Sequence, residues 1–229
     1  MNVIVANLQA VRARIAAAAK RAGRQPHDVA LIAVSKTFGV DAIAQACDAG
    51  QAAFGESYLR EALDKMDRLA ARPLEWHFIG PIQSNKTRLI AARFQWVHSI
   101  DRARVAERLA AARPAAMPAL DVCVQVNVSG EQTKGGVDPA AAPALARLVA
   151  GLPRLRLRGL MAIPRPTADP LEQRRQFARV RELKEKITAS GIALDTLSMG
   201  MSDDLEAAIA EGATLVRVGS AIFGQRQKR

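Results

Sequence analysis

A lysine stands at the end of a short apolar segment in the first fifth of the chain. Lys36 follows residues 31–35 in the string VALIAVSKT, and a run this rich in Val and Ile is typical of a fully buried strand. Lysine is among the residues least often buried, so the amine either reaches solvent or is held in a pocket. Burial lowers the pKa of a lysine, and the neutral amine can form a Schiff base with an aldehyde. Lys36 is therefore a candidate for covalent binding of a carbonyl compound.

Chemically active residues also stand near the ends of later strand-like segments. These segments end near Lys36, Ser57, Gly80, Ile100, Val128, Ile163, Gly200 and Ser220. Two of the three histidines, His77 and His98, fall within them, either as interior histidines or as site residues. The methionines of the same segments, Met201 among them, either pack or contact a ligand.

Two of the last segments contain features that suit an anion. The string GMSDDLE, residues 200–206, resembles a loop that enters a helix, with Asp203 and Glu206 at capping-box spacing and Ser202 as the alternative cap. Backbone N–H groups at a helix start can bind phosphate, and Gly219 with Ser220 offers further donors. An amine that faces a phosphate site suggests an aldehyde that carries a phosphate, and pyridoxal 5′-phosphate (PLP) fits this description.

Arg217 lies two residues before Gly219, so that both positions belong to the same face of a strand. An arginine cannot accept a proton from a pyridinium, so beside the cofactor it keeps the ring nitrogen unprotonated and weakens the ring as an electron sink. The alternative is a salt bridge within the protein, with Glu56 as the partner.

The elements that must position these residues alternate along the chain. An alanine-rich helix is predicted near residues 3–21, and amphipathic helices are predicted at 40–49, 57–71, 103–112, 140–150, 171–189 and 203–210. Eight strand candidates separated by helices predict one (β/α)8 TIM barrel with an extra N-terminal helix. We expect a single domain over residues 1–229, with the N-terminal helix in 1–24 and a basic tail at 225–229. A doubly wound sheet is the second choice, but the glycine-rich nucleotide fingerprint is missing.

Composition narrows the class of protein. The 229 residues carry a formal charge of +11, which we interpret as an arginine-rich solvated surface. Nucleic-acid motifs are absent and aromatic residues are sparse, so we expect no nucleic-acid partner. No signal peptide and no apolar stretch long enough for a bilayer are recognised, so we expect no membrane association. Cys47 and Cys123 suit apolar packing, and a cytoplasmic location is expected.

Eight strings together resemble the pyridoxal phosphate homeostasis protein family, single-domain relatives of the alanine racemase barrel. They are LIAVSKT, FGESYLRE, EWHFIGPIQSNK, VHSID, VQVNVSGEQTKGG, LRGLMAIP, LSMGMSDDLEAAI and RVGSAIFG, spanning about residues 31–224. The resemblance implies a PLP-binding TIM barrel in which Lys36 forms the internal aldimine and Arg217 faces the pyridine nitrogen. It also implies phosphate binding by Ser202, Gly219 and Ser220, with Met201 beside the cofactor.

Two positions depart from the family pattern. Ser57 stands where the family commonly has Asn, so a hydroxyl or a water replaces an amide contact near the cofactor. Phe38 and Gly39 replace a second lysine or a proline after the Schiff-base lysine. We include Ser57 and His77 among the expected cofactor-binding residues, and we interpret Lys134 as an exposed loop lysine.

The resemblance implies a role in PLP supply without established turnover. We therefore expect a monomeric carrier or regulator that holds PLP and releases it to apo PLP-dependent enzymes in transient contacts. A racemase needs a second base, and the second domain that presents it in alanine racemase is not expected here. The alternatives are a racemase-like enzyme that uses His77 or a water as the base, and a Schiff-base aldolase acting on sugar phosphates. Nucleic-acid binding is a more distant possibility.

Overall fold

The computed structural model describes residues 3–131 and 134–225. In this part of the chain, strands and helices alternate after a first helix that precedes the barrel. The strands are β1 (Ala30–Val34), β2 (Ala53–Glu56), β3 (Glu75–Phe78), β4 (Trp96–Ile100), β5 (Leu120–Val126), β6 (Leu155–Ala162), β7 (Thr196–Ser198) and β8 (Leu215–Val218). The helices are α1 (Val3–Arg21), α2 (Val40–Asp48), α3 (Leu59–Arg68), α4 (Thr87–Arg93), α5 (Ala103–Ala112), α6 (Ala142–Ala150), α7 (Pro170–Ala189), α8 (Leu205–Ala210) and α9 (Ser220–Phe223).

The strands form a closed parallel barrel in sequence order, and β8 pairs with β1 to close it. Closure places Ile32 opposite Arg217 and Ala33 opposite Val218. The predicted (β/α)8 fold is therefore confirmed. Because all strands run in the same direction, the residues that follow them meet at one end of the barrel.

Two layers of side chains fill the space inside and around the barrel. The larger apolar cluster packs the helices against the outer face of the strands. A small second cluster of Trp96, Cys123 and Met161 is separate from it, because side chains of alternate residues face the inside of the barrel. Both cysteines are free, as expected, and Cys123 is buried in this inner cluster.

The N-terminal helix covers the outside of the last βα units. The apolar side of α1 is buried, and the helix packs against α8, α9 and α2. The Asn7 side chain donates a hydrogen bond of 3.0 Å to the Ile222 carbonyl in α9. The helix therefore supports the segments that follow β7 and β8.

Element boundaries agree with the sequence expectations to within about two or three residues. The predicted helix at 103–112 is reproduced, whereas α4 and α9 were not predicted. No helix among residues 3–131 and 134–225 combines the length and the apolar character that a membrane crossing requires. Of the predicted tail, residues 226–229 lie outside the described residues, as do residues 1 and 2 of the predicted N-terminal segment.

Candidate functional site

Lys36 lies two residues beyond β1, in a turn at the carboxyl end of the barrel. Its side chain is half-buried. The next residue, Thr37, has a φ of 71°, in the left-handed region that β-branched residues rarely adopt. Such strained residues concentrate at functional sites, where surrounding contacts must hold them.

A buried ion-pair cluster holds this turn from the helical side. The Lys65 ammonium, whose residue is only 3% exposed, lies 2.7 Å from Glu56 and 2.5 Å from Glu61. It also donates to the Ser35 carbonyl at 2.8 Å, directly before Lys36. The Ser35 hydroxyl donates to Glu56 at 2.6 Å, and the Thr37 amide donates to Glu61 at 2.6 Å. The cluster therefore fixes the backbone on both sides of Lys36.

Lys65 was not among the residues predicted from the sequence, although the spacing of its neighbours contains a signal for it. Ala62, Lys65, Met66 and Leu69 are spaced like one face of a helix, and all four are buried. Burial raises the pKa of Glu56, and the Lys65 charge only partly opposes this effect. The second carboxylate oxygen of Glu56, Oε2, has no hydrogen-bond partner among the described residues.

In the loops after β7 and β8, two serine hydroxyls lie together at the same end of the barrel as Lys36. Ser202 Oγ and Ser220 Oγ are 3.1 Å apart, and the Ala221 amide lies 3.4 Å from Ser202 Oγ. Arg14 of α1 donates to the Ser202 carbonyl at 3.0 Å and to Glu206 at 2.8 Å. The hydroxyls and the nearby amide form a donor-rich surface, and α1 holds the loop that carries Ser202.

The loop before α8 differs from the predicted capping pattern. The N-cap residue is Asp204, and neither Asp203 nor Ser202 caps the helix. The Asp204 carboxylate accepts from the Met201 amide at 2.6 Å, so that it turns back into the loop. The predicted capping box of Asp203 with Glu206 is wrong because Glu206 pairs with Arg14 instead. Burial raises the pKa of Asp204.

Arg217 lies inside the barrel and is only 4% exposed. It donates to Ser198 Oγ at 2.7 Å and to the Ala162 carbonyl at 3.0 Å. Burial lowers its pKa to about 10, because both acceptors are neutral and desolvation disfavours the cation. The alternative salt bridge to Glu56 is wrong, since Glu56 faces α3 and pairs with Lys65.

Barrel closure brings the Lys36 turn toward the serine pair. A β-carbon on Gly219 would lie 3.1 Å from the Val34 carbonyl, so the missing side chain permits this close approach. The Phe38 and Phe223 rings lie 5.1 Å apart, which joins the turn to α9. Phe38, which departs from the family pattern, thus packs where the two loops meet.

The remaining predicted site residues occupy different depths. Ser57 and Met201 are half-buried in the loops after β2 and β7. A β-carbon on Gly80 would lie 2.4 Å from the Ser57 carbonyl, so the loop after β3 packs directly on Ser57. His77 lies inside the barrel, with its ring nitrogens 3.0 Å from His98 and 2.7 Å from Glu75. His77 therefore connects to Arg217 through His98 and Ser198.

Lys134 is not the fully exposed loop residue that the sequence suggested. Its ammonium donates to the Pro164 carbonyl at 2.9 Å and pairs with Glu131 at 2.7 Å. These contacts join the loop after β5 to the loop after β6.

Comparison with known proteins identifies relatives of the whole chain. Residues 6–227 match the family described as alanine racemase, N-terminal domain. The chain is 59% identical to a pyridoxal phosphate homeostasis protein of Pseudomonas aeruginosa, over 99% of this chain and 97% of that protein. It is 53% identical to the protein of the same name from Escherichia coli, over 99% of this chain and 98% of the relative.

Solved structures share the barrel. PipY of Synechococcus elongatus, determined with PLP bound, superposes with a TM-score of 0.84 at 35% identity, covering 96% of this chain and all (100%) of that chain. Alanine racemase of Corynebacterium glutamicum superposes with a TM-score of 0.71 at 18% identity, covering 96% of this chain and 62% of that enzyme. The second comparison supports the fold alone.

Proposed function

The chain belongs to the pyridoxal phosphate homeostasis protein family, and we propose that it takes part in PLP homeostasis by holding PLP on Lys36 and releasing it to other proteins. The observation that carries this proposal is the fixed lysine turn after β1, next to paired hydroxyls in the loops after β7 and β8 and to a buried arginine on β8. The relative PipY has been solved with PLP bound, and it covers the same part of the chain.

The residues present fit PLP in their donor chemistry. Ser202 and Ser220 offer two hydroxyls 3.1 Å apart, which suit a phosphate. Gly219 has no side chain that would obstruct the approach of a phosphate to the backbone. Arg217 uses two of its five N–H groups for Ser198 and Ala162. When bound, the cofactor would supply an aldehyde that can condense with an amine with loss of water.

Each residue then has a defined task. Lys36 provides the amine, and the Lys65 cluster holds its turn. Ser202, Gly219 and Ser220 bind the phosphate, while Met201 and Ser57 line the cofactor. Arg217 faces the pyridine nitrogen as a donor and keeps it unprotonated, which limits the ring as an electron sink.

The placement of the candidate bases supports a carrier rather than a racemase. Tyr58, the only tyrosine, is 53% exposed at the start of α3. His77 is 1% exposed, and its two ring nitrogens face His98 and Glu75. Neither side chain is thus arranged to take a proton from a substrate at the barrel mouth.

The proposal is tested by adding PLP to wild type and to Lys36→Ala and recording visible absorption. Wild type is expected to develop a yellow band and, after borohydride reduction, a pyridoxyl adduct on the peptide that contains Lys36. Lys36→Ala is expected to lose both, whereas Lys20→Ala, which removes an exposed lysine of α1, keeps both. A colourless wild type, or an adduct on another lysine, would contradict the proposal.

Release is measured by mixing the loaded protein with an apo PLP-dependent enzyme and a phosphatase that destroys free PLP. Activation of the enzyme despite the phosphatase is expected for direct delivery, and no activation contradicts it. Incubation with amino acids in deuterated water is expected to give no exchange at the α-carbon. Exchange that Lys36→Ala abolishes would instead favour the racemase-like alternative.

A further inference from the structure

A continuous row of hydrogen bonds crosses the barrel interior. It runs from Arg217 near the carboxyl end of the strands to Glu75 at the amino end of β3. Arg217 lies 2.7 Å from Ser198 Oγ, which lies 2.7 Å from His98 Nδ1. His98 Nε2 lies 3.0 Å from His77 Nδ1, and His77 Nε2 lies 2.7 Å from Glu75 Oε1. We call these five residues the interior relay. It joins strands β8, β7, β4 and β3.

The two ends of the interior relay differ in exposure. Arg217 is 4% exposed, whereas the Glu75 side chain is 49% exposed at the amino end of β3. Arg217 belongs to the mouth, where the candidate PLP site lies. The relay therefore connects solvent at one end of the barrel to the buried arginine at the other.

Titratable and charged groups surround the relay along its length. Glu75 and Asp121 face His77, and Arg158 faces Glu75. Arg217 and His77 face His98, while Asp204 and Cys123 face Arg217. Arg158 also lies over the Trp96 ring, 4.9 Å from its centroid, and pairs with Asp195 at 2.9 Å.

The chemistry of the groups fixes one direction for every hydrogen bond. Burial lowers the pKa of His77 and of His98, so that both rings are neutral and each carries one N–H. The pKa of Glu75 is also lowered, chiefly by its hydrogen bond to His77, so its carboxylate only accepts. His77 Nε2 must then donate to Glu75, which leaves Nδ1 to accept from His98 Nε2.

The hydrogen bonds from His98 through Ser198 to Arg217 also have one direction. With its proton on Nε2, His98 accepts from the Ser198 hydroxyl at Nδ1. Ser198 Oγ in turn accepts from Arg217, which can only donate. Each neutral group therefore turns its negative end toward Arg217 and its positive end toward Glu75. Aligned hydrogen bonds of this kind strengthen one another in a medium of low dielectric constant.

We propose that His98 is a positioning residue for Arg217: with Ser198 and His77, it orients this arginine toward the cofactor and couples it to the carboxylate of Glu75. The inference rests on the proposed PLP function for its effect on the cofactor, but the direction of the relay is a property of the protein alone. Aliphatic side chains usually fill a TIM-barrel interior, so a row of polar groups there indicates a role beyond packing.

The first test uses the protein without PLP. Nitrogen-detected NMR at neutral pH is expected to show both His77 and His98 with the proton on Nε2 and a bare Nδ1. His98 with its proton on Nδ1 would overturn the proposal. The result does not depend on whether PLP binds.

The second test changes the exposed end of the relay. Glu75→Gln replaces a group that only accepts by one that can also donate, so that the reverse tautomers of His77 and His98 become possible. We expect a second set of imidazole signals, and in the loaded protein a lower pH midpoint for the change in visible absorption. Glu107→Gln removes the same charge from the exposed side of α5 and is expected to change neither reading.

The third test breaks the relay near the arginine. Ser198→Ala removes the acceptor of a charged donor and is expected to weaken PLP binding by roughly tenfold. Ser198→Thr keeps the hydroxyl and is expected to restore binding and the absorption midpoint. Unchanged binding and midpoint in Ser198→Ala and Glu75→Gln would overturn the proposal. A wild type with the expected tautomers that does not bind PLP would refute the proposed function and leave the direction of the relay standing.

Discussion

The conformation of single residues at the carboxyl end of the barrel depends on contacts with residues of neighbouring elements. Lys36 occupies a turn whose neighbours Ser35 and Thr37 are both held by the side chains of Lys65, Glu56 and Glu61. The Glu56 carboxylate and the Lys65 ammonium are buried and costly to desolvate, whereas Glu61 is partly exposed, so the main contribution of the cluster is to specify the geometry of this turn. The positive φ of Thr37 is tolerated because these contacts hold it.

Removal of the ammonium from this cluster is expected to affect both stability and binding. Lys65→Met leaves Glu56 buried without its cation, which costs about 3–5 kcal/mol of folding free energy. Because Glu61 then loses its neighbour, the turn loosens and PLP affinity falls. Urea unfolding and a PLP titration measure the two effects.

The double variant Lys65→Met with Glu56→Leu removes the stranded charge as well. It is expected to regain most of the stability but not the affinity. Lys86→Met, which changes an exposed lysine, is the control. Equal stability and affinity of Lys65→Met and wild type would contradict the role of this cluster.

At the scale of elements, the barrel depends on close contacts between backbones. A β-carbon on Gly159 in β6 would lie 1.8 Å from the Thr196 carbonyl in β7, an impossible contact. Both strands carry partners of Arg217, since Ala162 ends β6 and Ser198 ends β7. Gly159 thus allows the close approach of β6 to β7, the two strands that provide the hydrogen-bond acceptors of Arg217.

Gly159→Ala is therefore expected to separate β6 from β7 and to prevent stable folding. The Thr196 carbonyl is a backbone group, which cannot move aside as a flexible side chain would. Gly151→Ala is the matched control, because its β-carbon would meet no atom closer than 3.6 Å. Circular dichroism with thermal unfolding compares the two, and a Gly159→Ala protein as stable as wild type would contradict the expectation.

At the scale of the whole molecule, the polar interior makes stability depend on pH. His77 and His98 have folded-state pKa values below the value of about 6.5 typical of an unfolded chain. Below about pH 6.5 the unfolded state then binds more protons than the folded state, so stability falls as pH falls. Glu56 and Asp204, whose pKa values are raised, oppose this trend at lower pH.

Each buried histidine is expected to contribute a slope of about 1.4 kcal/mol per pH unit between its unfolded and folded pKa values. Urea unfolding at pH 7, 6 and 5 measures the slope. His98→Asn, which keeps an acceptor for Ser198, is expected to reduce it, while His27→Gln at the exposed histidine leaves it unchanged. A slope that His98→Asn does not alter would show that His98 takes up no extra proton on unfolding.

The sequence by itself determined the fold and the family. Alternating apolar runs and amphipathic helices predicted eight βα units, because buried parallel strands and the helices that cover them require apolar residues at regular spacings. The motifs around Lys36, Ser202 and Gly219 indicated the chemistry of the site, since a Schiff-base amine and phosphate donors require particular residue types. These signals are local, and each lies within a few neighbouring residues.

Only the tertiary structure decided which partners those residues have. Lys65 acts on the turn of Lys36 from another element, and Arg217 pairs with Ser198 where the sequence suggested Glu56. The interior relay joins side chains as far apart in sequence as His98 and Ser198. Such contacts are set by the closure and register of the barrel, so they cannot be predicted from the pattern of neighbouring residues.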